Sequence, residues 1–112
     1  MSLSTAVFAT GWEKLRTEND KVYYLQTPYS RNGKIVYSKI KQVPLWEGEN
    51  RVIYSLKIDY NNLILYTQYT RYNASWVPIQ SYQMPTLYFN QIGSESALAE
   101  AIIKIAKYYG FL

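Results

Sequence analysis

The chain of 112 residues contains no cysteine and no histidine. The first absence excludes disulfides, iron–sulfur clusters, thiolate zinc sites and thiol nucleophiles together. The second removes the commonest metal ligand and the commonest general base at neutral pH, so His- and Cys-based triads are closed to it. Its five glycines are nowhere clustered, which leaves no phosphate-cradling loop. Charged residues are 18%, against roughly a quarter in an average soluble domain. No apolar run approaches the ~18 residues that a membrane-spanning helix needs. The start, Met1 to Phe8, has neither the basic flank nor the apolar length of a secretion signal. We therefore expect a protein that acts where it is made and does not meet a membrane. Hydrophobic residues at 48% suffice for one core, so residues 1–112 read as a single domain.

What is abundant is tyrosine: 13 residues, against three each of Phe and Trp. Tyrosine favours strands and half-buried positions, because its ring is apolar and its tip is not. The balance of twelve Lys/Arg against eight Asp/Glu tolerates an anionic partner.

Two hairpins are written into the middle of the chain. Lys21–Ser30 and Lys34–Gln42 flank Asn32-Gly33, a pair suited to the positive φ angles of a type I′ turn. A two-residue loop there pairs Arg31 with Lys34, Tyr29 with Val36 and Leu25 with Ile40. Tyr23, Leu25, Tyr29, Val36 and Ile40 then share the core face. Arg51–Tyr60 and Leu63–Tyr72 form the second hairpin about Asn61-Asn62, which pairs Tyr60 with Leu63, Ile58 with Leu65, Leu56 with Thr67 and Tyr54 with Tyr69. The alternation from Val52 to Asp59 is the cleanest in the chain and predicts a sheet covered on one side only. Val43–Asn50 reads as a loop in which Trp46 packs on something. Asn73–Gln83 reads as irregular, and Thr86–Asn90 as a short fifth strand.

Residues 4–18 read as a helix capped by Ser4, with Phe8, Trp12 and Leu15 on one side and Asn19-Asp20 at its end. Residues 94–109 read as a second helix. Ser94 caps it, Leu98, Ala101, Ile102, Ile105 and Tyr109 form its stripe, Glu100 pairs with Lys104, and Gly110 closes it. The expected fold is α+β: an antiparallel meander of four or five strands with N- and C-terminal helices packed on one face.

The candidate binding residues lie on the side of the meander that the helices leave open. They are Tyr24, Tyr37, Lys39 and Lys41 from the first hairpin, and Arg51, Lys57, Tyr66 and Tyr72 from the second, with Gln68 among them. Lys57 stands across from Tyr66 and Arg51 across from Tyr72, as cation–π contact requires. Three readings stay open. The face pairs with a second copy or docks a protein, since Tyr and Arg are favoured in interface cores. It holds single-stranded nucleic acid by base stacking and phosphate neutralisation. Or it merely reflects a tyrosine-rich chain. The carboxylates Glu47 and Glu49, two apart in a glycine-containing loop, read as solubilising charge. No catalytic or metal-ligating set emerges, and we expect a non-enzymatic binding protein without a cofactor.

Two resemblances add to this. The composition, dense in Tyr, Ile, Asn and Ser, resembles the small proteins of viruses that infect Sulfolobus-type crenarchaea. It implies a thermostable viral accessory protein of the host cytoplasm or the virion, with itself, a viral or host protein, or single-stranded nucleic acid as partner. The stretch Ser81-Tyr82-Gln83-Met84-Pro85-Thr86-Leu87-Tyr88-Phe89 before the last helix is similar to RWD and ubiquitin-conjugating-like domains. These share a Tyr-x-x-Pro turn, here Tyr82 and Pro85. The catalytic cysteine of that family has no counterpart, so the resemblance implies binding without catalysis.

Overall fold

A computed structural model describes residues 11–46 and 50–112. The elements are β1 (Gly11–Glu18), β2 (Lys21–Thr27), β3 (Ser30–Asn32), β4 (Ile35–Pro44), β5 (Arg51–Asp59), β6 (Ile64–Tyr72), β7 (Pro78–Gln83), β8 (Leu87–Tyr88), a 3-10 turn at Phe89–Gln91 and α1 (Ala97–Tyr109). They build one antiparallel sheet in the order β1-β2-β4-β5-β6-β7, with β3 beside β4 and β8 beside β6. The architecture is a sheet plus a helix, as expected, with more strands than the four or five anticipated.

The expected helix over residues 4–18 is corrected where it is described. Residues 1–10 lie outside the described residues, and Gly11–Glu18 is a strand. Asn19 and Asp20, with φ of 52° and 62°, form the two-residue loop that joins Glu18 to Lys21. Two consecutive left-handed residues are the signature of a type I′ turn, whose twist matches that of its strands. That turn offers residues 11–18 a full ladder of partners on β2, which an isolated helix with Gly11 at its centre cannot match.

The first hairpin keeps its predicted register far from the turn and departs from it nearby. Leu25 pairs with Ile40, as expected. Nearer the turn, Ser30 pairs with Tyr37, Arg31 with Val36 and Asn32 with Ile35, not Arg31 with Lys34 or Tyr29 with Val36. The turn residues are thus Gly33 and Lys34. Gly33 takes φ of 62°, and Asn32 stays in the ladder. The cause is Pro28, which has no N–H to give β4. The chain leaves the ladder at Pro28-Tyr29 and rejoins it two residues out of step. An even slip preserves the alternation of faces, so Leu25, Val36 and Ile40 all point into the core.

The second hairpin has the predicted pairs Tyr54–Tyr69, Leu56–Thr67 and Ile58–Leu65. Its connection is longer, because the ladder stops at Asp59–Ile64. The left-handed residue is Leu63 (φ 57°), not either asparagine. The Asp59 carboxylate fixes the corner by accepting from the backbone of Asn61 (2.9 Å) and Asn62 (3.1 Å) and from the Asn62 amide (2.9 Å). These bonds, led by the Asn62 side chain, hold its pKa below the usual carboxylate value.

Residues 78–83, expected to be irregular, are the strand β7, paired to β6 from Gln68–Gln83 to Arg71–Gln80. The fifth strand expected near residues 86–90 is the short β8, followed by the 3-10 turn. Trp46 is 62% exposed, so the expected packing of its ring is not found.

One face of the sheet meets α1. Ala101, Ile102 and Ile105 seat against Leu25, Val36, Ile40, Leu56, Ile58 and Leu65. The stripe is the predicted one, but the cap is Ser96, whose hydroxyl accepts from the Ala99 N–H (3.1 Å). Glu100 and Lys104 do not pair with each other. Each reaches β1 instead, Glu100 to Arg16 (3.0 Å) and Lys104 to Glu13 (3.3 Å). Gly110 closes the helix with φ of 75°, and Phe111 folds back over Tyr109 and Tyr60.

Candidate functional site

The face opposite α1 can be read row by row from the registers. One row runs Lys14–Tyr24–Lys41–Ile53–Thr70–Ser81. A second runs Lys39–Ser55–Gln68–Gln83, and a third Ser30–Tyr37–Lys57–Tyr66. At the far end Arg51 stands beside Tyr72. All eight predicted residues, and Gln68, therefore share this face. No described helix crosses it.

Within it they fall into two groups. Tyr37, Lys39, Lys57 and Tyr66 form the more open half: Tyr37 is 43% exposed, Lys39 and Lys57 are exposed, and the Lys57 ammonium lies 5.1 Å from the Tyr66 ring centre. The break between β2 and β3 adds a shallow hollow of about 330 Å³ next to Tyr37 and Lys39, with Gln26, Ser30 and Ser55 around it.

Tyr24, Lys41, Arg51 and Tyr72 form the second half with two residues that the sequence reading missed. The Lys41 ammonium sits 4.6 Å from the Trp12 ring, 5.2 Å from Tyr24 and 5.7 Å from Trp76. The Arg51 guanidinium lies 5.4 Å from the same Trp76 ring, which also packs on Tyr72 at 5.5 Å. Partial burial among these rings lowers the Lys41 pKa, because it removes water from the charged form. Trp12 and Lys14 were missed because their segment read as a helix; in strand geometry both point to the open side. Trp76 sits in the β6–β7 loop with φ of 61°. The Asn73 side chain ties that loop by accepting from Ser75 (2.8 Å) and Val77 (3.0 Å).

Among the described residues the ion-paired carboxylates, Glu13, Glu18 and Glu100, all lie on the helix side. Lys14, Lys39, Lys41, Arg51 and Lys57 all face away from α1, and none has a carboxylate partner among the described residues. Asp59, at the rim, is buried and occupied by its own turn. The three ion pairs, Arg16–Glu18, Arg16–Glu100 and Lys104–Glu13, are all on the helix side. Among the described residues no His, Cys, Asp or Glu cluster could hold a metal ion. The loop carboxylates Glu47 and Glu49 lie outside the described residues. No described helix is long and apolar enough to cross a membrane. No family model, curated protein or solved structure matches the chain.

Proposed function

We propose that the protein binds single-stranded nucleic acid on the open face of its sheet, without catalysis. The observation that carries this reading is the run of five cations without an ion pair among the described residues, interleaved with aromatic rings on one sheet surface. Exposed rings accept any unpaired base by stacking, worth about 1–3 kcal/mol for each base, and neighbouring cations neutralise the phosphates between them. Tyr37 and Tyr66 are the stacking positions of the open half, with Lys39 and Lys57 beside them. Trp76 and Trp12 offer further rings around Lys41 and Arg51. Gln26, Ser55 and Gln68 can hydrogen-bond to base edges with little sequence preference. A duplex, whose bases are already stacked, gains nothing from the rings.

Pairing of this face with a second copy, or docking of a protein on it, is the reading that the sequence alone puts first. The charge distribution favours nucleic acid, because face-to-face dimerisation would bring two sets of five cations together with Asp59, held in its own turn at the rim, as the one described carboxylate on each side. A protein partner for this face would need an acidic surface. The setting we infer, a crenarchaeal virus, rests on composition.

The test is titration of the protein with an oligothymidylate at low salt, followed by tryptophan emission in a Trp46→Phe background. That leaves Trp12 and Trp76 as reporters. Saturable quenching, with a matching duplex binding at least tenfold more weakly, supports the proposal. Absence of binding at about 50 mM salt, where phosphate contacts are strongest, rejects it.

A further inference from the structure

The two edges of the sheet are built differently. β1, one edge, carries Glu13, Lys14, Arg16 and Glu18, has a bulge between Lys14 and Arg16, and is tied to α1 by two ion pairs. Charges, bulges and covering elements are the devices that keep an edge strand from pairing with another chain. β7, the other edge, is exposed along its whole length and carries no charged residue; its protective features, Pro78 and a bulge that leaves Ile79 without a partner on β6, are confined to its start, and Gln80-Ser81-Tyr82-Gln83 has neither. Val77 (54%), Ile79 (49%) and Tyr82 (44%) add exposed apolar area at the same edge. On the helix side a row of rings leads out to it: Tyr54 packs on Tyr69 at 5.7 Å, and Tyr69 on Tyr82 at 4.7 Å. The row ends at Tyr82, and among the described residues no further strand lies beyond it.

From this edge we infer that β7 pairs antiparallel with β7 of a second copy, about a two-fold axis at Ser81. A second copy is the occupant that the chemistry selects. β7 itself carries no charged side chain, so two copies pair along it without opposing like charges in the ladder. The side-chain alternation fixes the register. Tyr82 and Gln80 point to the helix side, and Ser81 and Gln83 to the open side. A register that keeps both helices on one side must therefore place Ser81 opposite itself or move by two. Centring on Ser81 keeps the pairing within the regular part of the strand, with Gln80 beside Tyr82 of the second copy on each side of the axis. The two Tyr82 rings are then diagonal neighbours, within reach of each other, so the tyrosine row continues across the axis. The two sheets become one, and their open faces lie side by side.

The chain has no cysteine, which makes the test clean. Directly opposed strand residues have Cα atoms about 4.5–5.5 Å apart, within disulfide range. Ser81→Cys should therefore form a covalent dimer under mild oxidation, and Thr17→Cys on the β1 edge should not. Wild type should sediment as a dimer. Ser81→Lys, which opposes two ammonium groups at the axis, should raise the dimer dissociation constant at least tenfold with unchanged circular dichroism. A wild-type monomer at the highest attainable concentration overturns the inference, as does a dimer indifferent to Ser81→Lys. Nucleic-acid binding is a separate readout. Lys39→Gln/Lys41→Gln/Lys57→Gln should stay dimeric while its oligonucleotide binding falls, so the two ideas fail independently.

Discussion

Ionic strength gives the sharpest numerical test of the open face. Five cations, Lys14, Lys39, Lys41, Arg51 and Lys57, stand there without carboxylate partners among the described residues. If each neutralises one phosphate of a single strand, the slope of log K against log salt is about −3.5, from roughly −0.7 for each contact. Raising salt from about 50 to about 200 mM then weakens binding roughly 100-fold. Replacing Lys39, Lys41 and Lys57 by Gln leaves two contacts, a slope of about −1.4 and a loss of only about 7-fold over the same range. The rings remain, so the variant should still bind weakly and respond little to salt. Fluorescence anisotropy of a labelled oligonucleotide at four or more salt concentrations measures both slopes. A wild-type slope near zero, or a triple variant that keeps the wild-type slope, refutes the assignment of phosphate contacts to this face.

The core makes a paired prediction: Ile105→Ala should cost about 2–5 kcal/mol in urea unfolding, because Ile105 is fully buried against the sheet, whereas Ile103→Ala, 47% exposed on the same helix, should stay within about 0.5 kcal/mol. Alkaline stability follows from Tyr29 and Tyr54, whose pKa values burial pushes up to about 12, and from Tyr60, raised for the same reason. Unfolded tyrosines ionise from about pH 10 while these stay protonated, so stability should be full below pH 10 and fall as pH rises towards 12. Absorbance at the tyrosinate band should show them titrating last. Asp59 works in the opposite direction. Its folded pKa lies below the ordinary aspartate value, so its contribution is present above that value and lost as pH falls through the folded pKa. The Asp59→Ala variant should lose about 2 kcal/mol at neutral pH and show a flatter acid limb in thermal melts; an unchanged acid limb counts against the turn assignment.

Where a face is buried, the sequence announced it. The register of the second hairpin is legible, though its turn is not, because Val52, Leu56 and Ile58 alternate with mostly polar neighbours and a helix covers one side. The open-side residues came with it, since fixing one face fixes the other. β7 was invisible for the opposite reason: every residue of Pro78–Gln83 is exposed, and with no buried side there is no apolar period to detect. β1 was misread because Phe8, Trp12 and Leu15 happen to lie at helical spacing, while the deciding signal, a two-residue Asn-Asp loop, was taken for a helix end. Trp12 and Lys14 were lost with it. Trp76 carried no signal at all; its place over Lys41 and Arg51 depends on a left-handed backbone that β6 and β7 impose from both sides.

The departure at Pro28-Tyr29 has a consequence for how this chain can change length. It holds two surplus residues between β2 and β3, measured against β4. Excising both would restore a straight strand with every side chain still on its own side, at the expense of the contacts of Tyr29 with Tyr108 and Tyr109. Excising one would turn Ser30–Asn32 inside out, sending Arg31 away from the Tyr109 ring it now covers. Insertions and deletions at this corner are therefore tolerated in pairs, a parity rule that a library of loop-length variants would expose directly.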